Sequence, residues 1–245
     1  MVGRAASVLA ERRGAAFVGL FACVLAWFIA APHLPHPGLW PDIVIVAVAV
    51  LPATLLLVYL ALPLSGTGWR PLLAATAILT LLAFVFSVAD WGLPANFAKL
   101  WAAVAAGWLF LTLFEELSWV VIVAVVVPFV DAISVWRGPT HAITAHHFGV
   151  YTAVAIAFLV PGGGAAYLGP PDILFFALFL SAARRWSLRV GWSWIGATAM
   201  YGLTIVIANA VDIGGLPALP FLSVGFLAAN ADLLWKRLRR PAASS

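Results

Sequence analysis

Long apolar runs, separated by short polar breaks, follow one another along the whole chain. Hydrophobic residues make up 64% of the 245 residues and charged residues only 9%, whereas a soluble domain carries about 25% charged residues. A helix that crosses a bilayer needs about 20 mainly apolar residues. The sequence therefore predicts an all-α integral membrane protein, a polytopic helical bundle embedded in a lipid bilayer.

Eight apolar runs approach or reach the length of a membrane span. They are residues 15–31, 43–62, 71–89, 98–114, 117–136, 173–186, 192–211 and 218–235. The run at 173–186 is short, so its helix is expected to begin in the prolines before Asp172. We predict a single transmembrane domain over residues 1–245 with about eight spans, divided into N-terminal spans at 15–114 and a second half at 117–235.

The basic residues cluster at alternate ends of these runs. If the N-terminus is placed inside, eleven of the 13 Lys and Arg residues fall inside, and only Lys99 and Arg137 fall outside. This bias follows the positive-inside rule, so we predict that both termini are cytoplasmic and that residues 137–171 face outside. Because the net charge of +4 is spread over span ends, it indicates topology, and no nucleic-acid partner is predicted.

Two lone carboxylates stand at the ends of consecutive spans. Asp131 closes the apolar run 119–130, and Asp172 opens the run 173–180. A carboxylate in lipid costs roughly 2.5–3.5 kcal/mol, so such residues are usually functional and partnered. Adjacent antiparallel helices can bring the two side chains face to face, where they would share a proton. The alternative is structural, because each Asp could cap a helix, and Asp172 in a first turn suits the helix dipole.

Three short motifs surround these aspartates. Asp131-Ala-Ile-Ser-Val-Trp136 resembles the run that follows the first catalytic Asp in microbial presenilin-like proteins. Leu168-Gly-Pro-Pro-Asp172 is similar to a Gly-x-Gly-Asp motif, and Pro217-Ala218-Leu219 matches a Pro-Ala-Leu motif at the start of the last span. In this order, over residues 120–235, they resemble the presenilin and signal peptide peptidase family of intramembrane aspartyl proteases, in its microbial presenilin-like branch.

The resemblance implies a role for each of these residues. Asp131 and Asp172 would be the catalytic pair in the half at 117–235. Gly169 and the segment Pro217, Ala218 and Leu219 would bind substrate beside them. The chain departs from the family at Val130, where a Tyr is common, and at Pro171, which replaces the second Gly. The family usually has nine spans.

The predicted function is that of an aspartic endopeptidase that cleaves transmembrane or signal-peptide-like substrates within the membrane of a bacterial or archaeal cell. Water is the nucleophile, and no cofactor is implied. No metal site is predicted either, because His141, His146 and His147 lack the pattern of convergent ligands. Two alternatives stay open: a proton-coupled transporter that uses the same aspartates, and a family member that binds peptides without cleaving them. The oligomeric state is left open by the sequence.

One further apolar run, 150–160, is too short to span the bilayer. It is rich in β-branched and aromatic residues, which favours a surface strand or a re-entrant segment over a helix. Gly162, Gly163 and Gly164 follow and predict a hinge. We expect this run to pair with an extended substrate by strand addition.

Overall fold

The computed structural model describes residues 2–137, 148–211 and 216–238, and its main element is the α-helix. Within these residues the helices are α1 (Val2–Ala30), α2 (Leu39–Ile45), α3 (Leu51–Ala61), α4 (Trp69–Val88), α5 (Gly92–Leu111), α6 (Leu117–Arg137), α7 (Phe148–Val154), α8 (Pro170–Arg185), α9 (Val190–Ala210) and α10 (Leu219–Leu238). Two strands, β1 (Ile156–Leu159) and β2 (Ala165–Leu168), form an antiparallel hairpin.

Each of the eight predicted apolar runs lies on a helix. Run 43–62 is covered by α2 and α3, which are joined through one π-helical turn at Val46–Val50. In the described part of the chain, five helical segments are long and apolar enough to cross a membrane: Glu11–His33, Leu39–Gly66, Trp69–Val88, Leu117–Val135 and Val190–Ala210. The chain is therefore an all-α polytopic membrane protein, as predicted.

The helix α8 lies at the centre of the bundle. Every residue from Phe176 to Ala183 is buried, and α8 packs against α5, α9 and α10. It begins at Pro170, as expected, because proline at a first helical position lacks only an N–H that would have no partner there. Polar Asp172 and basic Arg184 stand at opposite ends of this buried apolar stretch.

Glycines let the central helices approach backbone to backbone. A Cβ added to Gly225 of α10 would lie 2.6 Å from the carbonyl oxygen of Gly196 in α9, and one added to Gly107 of α5 would overlap the carbonyl oxygen of Leu174 in α8. Small residues at such crossings are typical of membrane helices, whose association depends on close packing. These contacts hold α9 close to α10 and α5 close to α8.

The structure corrects the prediction for run 150–160. Its first part belongs to the helix α7, and only Ile156–Leu159 forms a strand. The hinge prediction is also revised, because Gly162 and Gly163 form a tight turn with φ of +79° and +85°. That turn connects β1 to β2, which leads directly into Gly169 and α8.

Candidate active site

Asp172 lies in the first turn of α8 and is held by the residue that precedes the helix. The backbone N–H of Gly169 donates to its Oδ2 at 2.9 Å, and its own backbone N–H donates to the Gly169 carbonyl at 3.1 Å. A carboxylate in this position also interacts favourably with the helix dipole. The capping role considered from the sequence is therefore present, and it uses one of the two carboxylate oxygens.

Asp131 lies near the end of α6 and is held by the Pro-Ala-Leu segment. The backbone N–H of Leu219, at the start of α10, donates to Asp131 Oδ2 at 3.0 Å. Pro217, Ala218 and Leu219 are all buried, so this donor is fixed in place. Pro128 interrupts the hydrogen bonding of α6 three residues before Asp131, because proline cannot donate to the carbonyl one turn earlier.

The two aspartates come together at one end of the bundle. Asp131 acts electrostatically on Asp172, and both carboxylates act on the phenols of Tyr151 and Tyr201. Both carboxyl groups are partly buried, where charges interact more strongly than in water. Residues from α6, α8 and the start of α10 therefore form one cluster, although they are far apart in the sequence.

Two tyrosines complete this cluster, and the sequence analysis did not identify them. Tyr201 of α9 is fully buried, and its hydroxyl donates to the backbone carbonyl of Asp172 at 2.6 Å. Tyr151 of α7 packs its ring against Tyr167 of β2, with the ring centroids 6.4 Å apart. Burial, and then the charges of Asp172 and Asp131, raises the pKa of Tyr151 to about 12. Its phenol therefore stays protonated, and can donate a hydrogen bond, at any physiological pH.

The hairpin borders the cluster, and one of its two edges is covered by side chains. The side-chain amide of Asn96 accepts from the N–H of Ala157 at 2.7 Å and donates to its carbonyl at 2.9 Å. The indole N–H of Trp27 donates to the carbonyl of Leu159 at 3.0 Å. These contacts cover the outer edge of β1 in the way that a neighbouring strand would.

The register of the hairpin determines which backbone groups of β2 point away from β1. Val160 N–H donates to the Gly164 carbonyl, and Phe158 pairs with Ala166 in the same register. Antiparallel pairs alternate, so Ala165 and Tyr167 turn their backbone groups away from β1. Ala165 therefore turns its backbone groups to the outer edge of β2, and this strand leads on to Gly169 and Asp172.

The structure brings together the predicted site residues Asp131, Asp172, Gly169 and Leu219, with Pro217 and Ala218 beside them. His141, His146 and His147 lie outside the described residues, as does part of the predicted outer segment 137–171. Among the described residues, no three His, Cys, Asp or Glu side chains form a group that could hold a metal ion. The acid–base side chains that the structure describes in this cluster are the two carboxyls and the two phenols.

No protein-family model, curated protein or solved structure matches this chain. The resemblance to intramembrane aspartyl proteases is carried by the three motifs and by their order along the chain. In the structure, Asp131 accepts a hydrogen bond from the backbone of Leu219 and interacts electrostatically with Asp172, so one residue of each motif belongs to the cluster.

Proposed function

We propose that the protein is an intramembrane aspartic endopeptidase whose catalytic pair is Asp131 and Asp172. The observation that carries this proposal is the arrangement of the three motifs. The Asp of the second motif interacts with the Asp of the first, and the backbone of the third motif donates to that first Asp. Two carboxylates in one site are the equipment that acid–base hydrolysis of a peptide bond requires.

The reaction needs only water and these two groups. One carboxyl is ionised and accepts a proton from water as the water oxygen attacks the peptide carbonyl carbon. The other is protonated, polarises the carbonyl oxygen, and then protonates the amine as the C–N bond breaks. The products are a carboxylic acid and an amine. The phenol of Tyr151 is a further neutral donor on this side of the site.

The hairpin suggests how the substrate is presented. A helical substrate hides its peptide bonds in its own hydrogen bonds, so it must be extended before it is cut. Because Asn96 and Trp27 cover the outer edge of β1, strand addition would take place on β2. This revises the expectation that run 150–160 itself pairs with the substrate. The strand β2 leads into Gly169, so a substrate strand beside it would run toward Asp172.

The test separates catalysis from helix capping. An Asn side chain keeps a carbonyl oxygen that can accept from Gly169 or Leu219, but it cannot ionise. Purified Asp131→Asn and Asp172→Asn proteins should therefore fold with nearly unchanged melting temperatures and lose cleavage of a labelled transmembrane peptide by at least about 10³-fold. The double variant should be no worse than either single variant. The wild-type cleavage rate should show a bell-shaped dependence on pH, whose two apparent pKa values belong to the pair of carboxyls together.

The outcomes also distinguish the other candidate functions. A proton-coupled transporter, or a protein that binds peptides without cleaving them, would leave the peptide intact in the wild type at every pH. Product masses measured for wild type and both variants show whether the peptide is cleaved and whether cleavage depends on the two aspartates. Rapid cleavage by either Asn variant would assign the aspartates to capping alone.

A further inference from the structure

A second cluster of polar groups lies at the opposite end of α8. Arg184 donates from Nη1 to the carbonyl of Leu62, just past the end of α3, at 2.7 Å. Arg185 donates from Nη1 to the carbonyl of Leu111, the last residue of α5, at 3.0 Å. Helix C-terminal carbonyls lack partners within their own helix, so each arginine links α8 to a neighbouring helix end. Asp172 and Arg184 are about 18 Å apart along the helix axis, given a rise of 1.5 Å per residue.

These helix ends surround a cavity of about 410 Å³. Its polar lining comes from Ser65, Trp108, Thr112, Ser181, Arg184 and Arg185. The hydroxyls of Ser65, Thr112 and Ser181 each donate to a carbonyl one turn earlier. The donors that remain for a ligand are therefore the other guanidinium N–H groups and the indole N–H.

Among the residues that the structure describes, no carboxylate balances the positive charge at this cavity. Among the described residues, neither Arg184 nor Arg185 forms an ion pair with a carboxylate, whereas Arg189, close by in the sequence, binds Asp232 through two bonds of 2.7 and 2.9 Å. The exposed Glu115 and Glu116 follow α5 but do not pair with either arginine. Each guanidinium has five N–H donors, and within the described part of the chain one donor of each has a protein acceptor.

Trp108 provides an independent sign that an acceptor is missing. It lines the cavity and is only 4% exposed, yet its buried indole N–H has no hydrogen-bond partner among the described residues. Buried donors in folded proteins are nearly always paired, so an unpaired one requires an explanation. A ligand that carries acceptor oxygens would supply the partner.

We propose that this cavity binds a phosphoryl anion, presented either by the headgroup of an anionic lipid or by free phosphate. A guanidinium group presents paired N–H donors that match the oxygen geometry of phosphate, and two such groups line this cavity. At about 30 Å³ per water molecule, the cavity holds on the order of ten waters, which leaves room for more than the phosphoryl group itself. Basic pockets between transmembrane helices are known places for acidic headgroups. The ligand would hold the ends of α3, α5 and α8 together.

Thermal unfolding of the purified full chain in dodecyl maltoside micelles tests this site. Three probes are titrated separately: phosphatidylglycerol, phosphatidylcholine at equal mole fraction, and inorganic phosphate. A ligand that binds only the folded state raises the melting temperature as its concentration rises. We expect phosphatidylglycerol or inorganic phosphate to raise it by several degrees, and phosphatidylcholine to have at most a small effect. A rise with phosphatidylglycerol alone assigns the site to a lipid headgroup, and an equal rise with inorganic phosphate assigns it to the free anion.

Matched variants locate the binding. R184Q and R185Q should weaken the apparent affinity at least tenfold, while R189Q, which removes one charge at the same end of the bundle, should leave it within twofold of wild type. W108F keeps both arginine links, so it serves if R184Q or R185Q fails to fold, and it should weaken binding about fivefold. The proposal is overturned if neither anion raises the melting temperature, if R189Q weakens binding as much as R185Q, or if W108F and R185Q both bind as tightly as wild type.

Discussion

At the scale of single residues, each aspartate has a backbone hydrogen bond and an electrostatic interaction with the other aspartate, and the two can be separated by substitution. One oxygen of Asp172 accepts from Gly169, and one oxygen of Asp131 accepts from Leu219. Both bonds come from backbone donors, which hold a carboxylate without neutralising it. The backbone contacts thus orient the side chains, and the interaction between the two carboxyls remains for chemistry.

Tyr151 is the residue-scale prediction. Its phenol stays protonated because burial and the two nearby carboxylates raise its pKa to about 12, so it can donate toward a developing oxyanion but cannot act as a base. Tyr151→Phe keeps the ring contact with Tyr167 and removes the donor. We expect the rate of peptide cleavage to fall about tenfold or more, with the pH profile unchanged on its acidic side.

Tyr59→Phe is the matched control for this prediction. Tyr59 lies at the other end of the molecule, where its ring contacts Trp194 and Arg13, so the same loss of a hydroxyl should not affect cleavage. Equal cleavage rates for Tyr151→Phe and wild type would show that the phenol of Tyr151 takes no part in the reaction.

At the scale of elements, the sequence predicts the helices, which follow from local patterns of residues. It does not predict features that depend on contacts between residues far apart in the chain. Apolar runs give the helices, and the position of Asp172 after two prolines gives a first-turn carboxylate. The hairpin edge is different, because Asn96 bonds to Ala157 61 residues away and Trp27 bonds to Leu159 132 residues away. No local pattern marks such pairs. The β-prone run 150–160 likewise begins as a helix, which the preferences of its residues alone do not predict.

The hairpin gives the first element-scale prediction. Proline at Ala165 removes a backbone N–H that points away from β1, so the β1–β2 hydrogen bonds stay intact. The preceding Gly164 has φ −74° and ψ +170°, a conformation compatible with a following proline. We expect Ala165→Pro to cut cleavage of a transmembrane peptide about tenfold, with a melting temperature close to that of wild type.

Ala166→Pro is the comparison for this experiment. It removes a donor within the hairpin, so it should lower stability as well as cleavage. Unchanged cleavage by Ala165→Pro would contradict strand addition on β2 and leave the proposed catalytic pair unaffected.

The crossing of α5 and α8 gives a second element-scale prediction. A methyl group at Gly107 would overlap the carbonyl oxygen of Leu174, two residues after Asp172. Gly107→Ala should therefore push α8 away, cost about 1–3 kcal/mol of stability and reduce cleavage. A methyl group at Gly92 in the same helix would have no atom within 4 Å, so Gly92→Ala should keep both the stability and the cleavage rate of wild type. Melting curves and cleavage rates of both variants test this, and a stable, fully active Gly107→Ala protein would show that the crossing adapts.

At the scale of the whole molecule, the two ends of the bundle are chemically different. One end carries the aspartates, the hairpin and Leu219. The other carries arginines that bind helix ends: Arg13 contacts the carbonyls of Tyr59 and Leu60, Arg184 and Arg185 those of Leu62 and Leu111, and Arg237 that of Trp186. Four of the basic residues that the sequence assigns to the cytoplasmic side thus lie at one end of the bundle, and such an asymmetry of basic residues sets orientation in a membrane.

The prediction at this scale is that the basic end faces the cytoplasm and the aspartates face outward. Single cysteines in a Cys23→Ser background test it, at Gly149 near the aspartate end and at Ser187 near the arginine end. Both positions are exposed, and an added side chain at Gly149 meets nothing within 4 Å. A membrane-impermeant maleimide should label the cysteine at 149 in intact cells and the one at 187 only after permeabilisation.

Labelling of both cysteines in detergent is the control for this experiment, because it shows that each thiol is reactive. The reverse pattern in intact cells would overturn the orientation and place the aspartates at the cytoplasmic side. Peptide substrates would then have to approach from the cytoplasm, and the arginine cavity would meet the outer leaflet. The orientation therefore determines from which side the substrate enters and which leaflet supplies a lipid to the second site.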